Sequence, residues 1–91
     1  MKKKSIFEAL SNFDALKREF EDLEYLVFRS GQSYVSSAVE YRLNIWRSKI
    51  DCLPKCVKLI KHKTINNLFI REISIRSHLI LVKKIEDEIK V

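Results

Sequence analysis

Cys52, Cys56, His62 and His78 are the residues of this sequence best suited to metal or redox chemistry. Four soft ligands would satisfy a tetrahedral zinc ion, but such sites are assembled from two ligand pairs, each close in sequence. Here three residues separate the cysteines, and the histidines lie sixteen positions apart. Cys56 falls among apolar neighbours, so the pair reads as buried structural thiols, a common fate of unpaired cysteine. The Cys-X-X-Cys spacing of thiol–disulfide enzymes is absent. As general bases, the histidines would need an acid or nucleophile partner within a pocket. The sequence has no serine elbow, no phosphate-cradling glycine loop and no paired carboxylates in an apolar setting. It therefore predicts no catalytic residue, no metal ligand and no cofactor, and a protein that is not an enzyme.

Charge is the second source of chemistry. From Arg42 to Lys84 there are eleven Lys or Arg against Asp51 and Glu72, a net charge of +9. Residues 1–30 balance, with Glu8, Asp14, Glu19, Glu21, Asp22 and Glu24 against six basic residues, and Glu86-Asp87-Glu88 is acidic again. The candidate partner-binding residues are Arg42, Arg47, Lys55, Lys58, Lys61 and Lys63. Such a cluster can track phosphates without sequence specificity and with steep salt dependence, or meet an acidic protein surface. Its charge can also be answered inside the fold, by the acidic first helix. Two features argue against nucleic acid: no helix-turn-helix spacing is present, and no aromatics interleave the lysines.

The elements that must position these residues are helices. One Gly and one Pro in 91 residues leave too few turn formers for a β-sandwich or barrel. Ser5 and Glu8 have the spacing of a capping box. Ile6, Phe13, Phe20 and Val27 then repeat every seven residues, with Ala9, Leu16 and Leu23 three later, a core-facing stripe. Gly31 ends this first helix. A second helix begins near Ser33 and carries Val35, Ala38, Val39, Arg42, Ile45, Trp46, Lys49 and Leu53. Pro54 opens a short basic helix with Leu53, Cys56, Val57 and Ile60 as its apolar face. Thr64-Ile65-Asn66-Asn67 reads as a break.

The final segment, from Leu68 to Lys90, has two readings. As a helix its stripe is Ile70, Ile73, Ser77, Ile80 or Leu81, Ile85 and Ile89; as a strand, Ile73, Ile75, Ser77, Leu79 and Leu81 alternate. With no turn to return the chain, helix is the preferred reading. Phe7 and Phe28 fall off the stripe of the first helix and, with Trp46, are the candidate interface aromatics.

The expectation is an all-α antiparallel bundle of three to four helices, a single domain over residues 5–91 behind a flexible basic tail at residues 1–4. No apolar run approaches the roughly 20 residues of a membrane span. The opening lysines lead into a segment too polar for a signal peptide, which with only two cysteines predicts a cytoplasmic protein. The Lys- and Ile-rich, Ala-poor composition fits an AT-rich bacterium or mobile element. The expected function is a helical binding module acting through protein–protein interaction, as adaptor, regulator or accessory subunit, with a protein partner and self-dimerisation in view. The alternative is a nucleic-acid-binding or replication-accessory domain. A second alternative is a small basic immunity-type bundle, a likeness of fold alone.

Overall fold

The computed structural model describes residues 5–89, so the tail expected at residues 1–4 and the last two residues lie outside the described residues. Four helices follow one another: α1 (Ile6–Phe28), α2 (Ser36–Asp51), α3 (Lys55–Ile60) and α4 (His62–Ile89). No strand occurs among the described residues. The protein is an all-α bundle, as its composition dictates.

The first helix starts as its sequence predicts. Ser5 Oγ accepts the backbone N–H of Glu8 at 3.2 Å, satisfying one of the donors that a helix start leaves without a partner. At the other end, Arg29 and Ser30 both donate to the Tyr25 carbonyl, and Gly31 takes φ +70°, a conformation that only glycine adopts without strain. The chain then reverses.

α2 starts three residues later than expected. Its cap residue, Val35, has no side chain that can accept a hydrogen bond. The missing acceptor comes from fifty residues away: Glu86 accepts the backbone N–H of Ser36 at 3.3 Å and its hydroxyl at 3.2 Å. A carboxylate at this position also complements the positive end of the helix dipole. Glu86 is therefore a tertiary cap on α2 rather than part of a solvated terminal turn.

Pro54 serves as the residue before α3, and Lys58 donates from its ammonium to the Asp51 carbonyl at the end of α2. The break expected at residues 64–67 is absent. The chain leaves helical geometry only at Lys61 (φ −102°, ψ 17°), and α4 runs through both asparagines. Ile65 and Leu68 are buried on either side of them. This packing outweighs the weak local preference of Asn for turns.

The core settles the direction of each helix. Trp46 of α2 is fully buried and donates from its indole N–H to the Leu16 carbonyl of α1 at 2.8 Å. Its ring lies 4.7 Å from that of Phe20 and meets Phe69 of α4 edge-on at 6.5 Å. Arg47 of α2 reaches Glu72 of α4, and Glu24 of α1 reaches Arg71 of α4. α2 thus runs antiparallel to its two long neighbours, which run parallel to each other. The predicted stripe of α1 is largely the observed one, with Ala9, Phe13, Leu16, Phe20, Leu23 and Val27 buried.

α4 differs from its sequence expectation. Its buried residues are Ile65, Leu68, Glu72, Ile75 and Leu79, spaced alternately by three and four as a heptad seam requires. The stripe predicted to face the core points to solvent instead. Both stripes have helical periodicity, so periodicity cannot choose between them. Packing against α1, α2 and α3 selects the inner one, on which Leu68 and Ile75 are wholly buried. Glu72 is tolerated among them because two guanidinium groups answer its charge.

Candidate interaction surfaces

The solvent side of α4 carries the least ordinary chemistry on the surface. Ile70, Ile73, Ile80 and Leu81 are 65%, 66%, 58% and 58% exposed. Ile70, Ile73, Ser77, Ile80 and Lys84 succeed one another by three, four, three and four residues, a second heptad seam on the far side of the helix from Glu72. Single exposed apolar residues are ordinary; here Ile70 and Ile73 adjoin one another, and Ser77 separates them from Ile80. The ends of this helix differ in charge. His62 and Lys63 lie in its first turn, and Glu86, Asp87 and Glu88 in its last. Both ends therefore oppose the helix dipole.

The basic residues divide into those spent on the fold and those left on the surface. Arg47 pairs with Glu72 at 2.7 Å and with Asp51 at 3.4 Å, and its guanidinium stacks over the Phe69 ring at 3.8 Å. Arg76 pairs with the other oxygen of Glu72 at 2.8 Å and donates to the Asn44 side chain at 2.9 Å. Glu72, at 3% exposure, is thus held by two arginines. Arg71 makes a two-pronged contact with Glu24 and lies over Phe20. The hydrogen bond from Arg71 is the main force that lowers the Glu24 carboxyl below its ordinary value, overcoming partial burial, which raises it. The same contact raises Arg71 further above its already high range.

Arg47 is consequently a structural residue, a correction to its expected place on a binding surface. Of the other predicted residues, Arg42, Lys55 and Lys63 are exposed, and Lys58 and Lys61 are half-buried. Lys58 holds the end of α2, and Lys61 stands 5.9 Å from the Phe13 ring. Lys55, Lys58, Lys61 and Lys63 are brought together at the corner formed by α3 and the start of α4, with no carboxylate within ion-pair distance among the described residues. Arg42, in the middle of α2, is not part of that corner.

The aromatic expectations divide as well. Phe7 is 81% exposed; Phe28 is 46% exposed and packs beside His78 with ring centroids 5.1 Å apart. Trp46 is no interface residue: it is the central side chain of the core. The thiols also depart from expectation. Cys52 and Cys56 are both exposed: Cys52 lies at the C-terminal cap of α2, and Cys56 belongs to α3, which is only six residues long and buries Val57 alone. Leu59 and Ile60 likewise point outward. No group of three His, Cys, Asp or Glu side chains converges among the described residues. A groove of 410 Å³ runs between α1 and the end of α2, lined by Ala9, Ala15, Leu16, Lys49, Cys52 and Leu53 among others. Its charged and nucleophilic groups are Glu19, Lys49 and Cys52.

No family model matches the chain, and neither does any curated protein or solved structure compared with it. No helix among the described residues is long and apolar enough to cross a membrane.

Proposed function

We propose that this protein is a non-enzymatic helical binding module that acts through protein–protein contact, with the outer face of α4 as its binding surface. One observation carries the reading: Ile70, Ile73, Ile80 and Leu81 stand exposed on a helix whose opposite face already supplies the core. Removing about 25 cal/mol of unfavourable hydration per Å² of apolar surface gives such a row a reason to be covered. Nothing in the fold needs these isoleucines, so their contribution belongs to association. The exposed thiols Cys52 and Cys56 suit a reducing compartment, and we assign the protein to the cytoplasm as an adaptor, regulator or accessory subunit.

The test compares two baits in cells that express the protein: the wild-type chain and the double variant Ile73→Glu, Ile80→Glu. Both substitutions are on exposed positions, so circular dichroism should report unchanged helicity. The wild type is expected to retain a protein that the variant loses. Identical retention by the two baits would overturn the assignment of this face.

A second reading rests on the lysine corner of α3 and α4, where four ammonium groups have no ion-pair partner among the described residues. If it is a nucleic-acid surface, mixed-sequence duplex DNA should bind at about 50 mM salt and be released steeply as salt rises. The absence of binding at that salt removes this reading. Substituting Lys55 and Lys63 with Glu should then leave the behaviour of the α4 face intact.

A further inference from the structure

We infer that the outer face of α4 is covered by the same face of a second copy of this chain, the two helices running antiparallel about a two-fold axis between Ile73 and Ser77. The inference rests on the reading of this face as a protein contact and names its occupant. Three observations select a second copy in this orientation.

The first is register. The outer seam runs Asn66, Ile70, Ile73, Ser77, Ile80 and Lys84. In an antiparallel pair of helices, the two seam positions of one heptad face those of the other in reverse order. Setting Ile70 against the second copy's Ile80 places Ile73 against Ser77, and Asn66 against Lys84. Every isoleucine then meets an isoleucine or a small serine, and the lysine at the seam's end meets an amide. The contact is self-complementary, as a two-fold interface must be. Sliding the copies by one heptad sets Ile73 against Lys84, or Ile80 against Lys63, and so breaks the apolar pairing.

The second is charge. The same register continues outward to set Lys63 level with Asp87, and His62 level with Glu88, at both ends of the pair. A parallel pair in register would set Lys63 against Lys63, Lys84 against Lys84 and Glu88 against Glu88. Like charges at such positions are unfavourable, and opposite ones select partner and orientation.

The third is the helix dipole. α4 has basic residues at its positive end and acidic residues at its negative end, the reverse of what stabilises a lone helix. An antiparallel neighbour brings the acidic end of one α4 beside the basic end of the other. Glu86 is already engaged by the start of α2, and the mismatch that Asp87 and Glu88 leave in a single chain becomes matched in the pair. Leu81 flanks the seam and adds to its apolar width. A single pair of helices is a small interface, near the lower limit of about 1,200 Å² for specific complexes. The expected dissociation constant is therefore roughly micromolar.

The test uses the full chain in a Cys52→Ser, Cys56→Ser background. Sedimentation equilibrium should show monomer and dimer in exchange at micromolar concentration, and Ile73→Glu with Ile80→Glu should leave only folded monomer. Lys63→Glu should weaken the dimer by roughly fivefold, as expected for exposed ion pairs made twice, and adding Asp87→Lys to the same chain should restore it. Orientation is read by crosslinking: a mixture of Ile70→Cys and Ile80→Cys chains should form a mixed disulfide under diamide, while Ile70→Cys alone should form little. Rapid crosslinking of Ile70→Cys to itself would overturn the antiparallel arrangement. A wild-type chain that stays monomeric to millimolar concentration would overturn self-association altogether. If the cellular bait still loses a partner through Ile73→Glu and Ile80→Glu, the binding-module reading survives that failure; if neither is seen, both fall.

Discussion

The two faces of α4 invert the usual arrangement of a surface helix. The inner face has a carboxylate at its centre, Glu72, and the outer face a row of isoleucines. The inner face keeps its charge because Arg47 and Arg76 approach both oxygens at 2.7 and 2.8 Å while keeping their own exposure near 39% and 35%. The arginines remain partly hydrated, so the cluster avoids the full cost of taking three charges out of water. The outer face has no such internal answer. One face is completed within the chain, and the other stands exposed.

The largest effects should come from breaking the inner face. Leu68→Ala removes a fully buried core side chain and should cost about 2–5 kcal/mol in denaturant unfolding, enough to threaten a chain of this size. Glu72→Ala should come next, at about 3 kcal/mol, because it leaves Arg47 and Arg76 facing each other without the carboxylate. A cost under about 1 kcal/mol would show that the two arginines simply return to water. Glu86→Ala should cost about 1 kcal/mol, the usual worth of a helix cap, and should raise amide exchange in the first turn of α2.

The Glu24–Arg71 contact yields a pH dependence with a defined sign. The Glu24 carboxyl is lowered in the folded chain, so its contribution is fully present above the ordinary carboxylate value. It is lost as pH falls from there through the lowered value. Glu24→Gln should flatten that part of the acid limb of a stability–pH curve, and an unchanged limb would deny the contact its role. Smallest of all should be Ile73→Ser on the outer face. Measured at concentrations where the chain is monomeric, it should fall within about 0.5 kcal/mol of wild type.

Much of the fold was legible because its signals were local. The Ser5–Glu8 cap, the stripe of α1, the stop at Gly31 and the short helix after Pro54 each follow from residues near one another in sequence. What was not legible was long-range. Nothing near Val35 announces that Glu86 will cap α2. Nothing near Asn66 and Asn67 shows that Ile65 and Leu68 will be buried in the core. The two seams of α4 are equally periodic, and a buried Glu72 among Ile65, Leu68, Ile75 and Leu79 disguises the inner one. The one clue was the arginines: Arg76 sits four residues after Glu72, a spacing at which the pair can close on one face. The candidate site was foreseen only in part. The lysines of residues 55–63 do gather at one corner, but Trp46 is buried in the core, the guanidinium of Arg47 is engaged by Glu72 and Asp51, and the isoleucine row was assigned to the core.

The melting temperature of the wild-type chain as a function of its own concentration tests the central claim most directly. A folded state completed by a second copy is stabilised by mass action, so the wild type should melt higher as it is concentrated from the low micromolar to the millimolar range. The Ile73→Glu, Ile80→Glu variant should melt at one temperature throughout, equal to that of dilute wild type. A wild-type melting temperature that does not move with concentration would contradict the account.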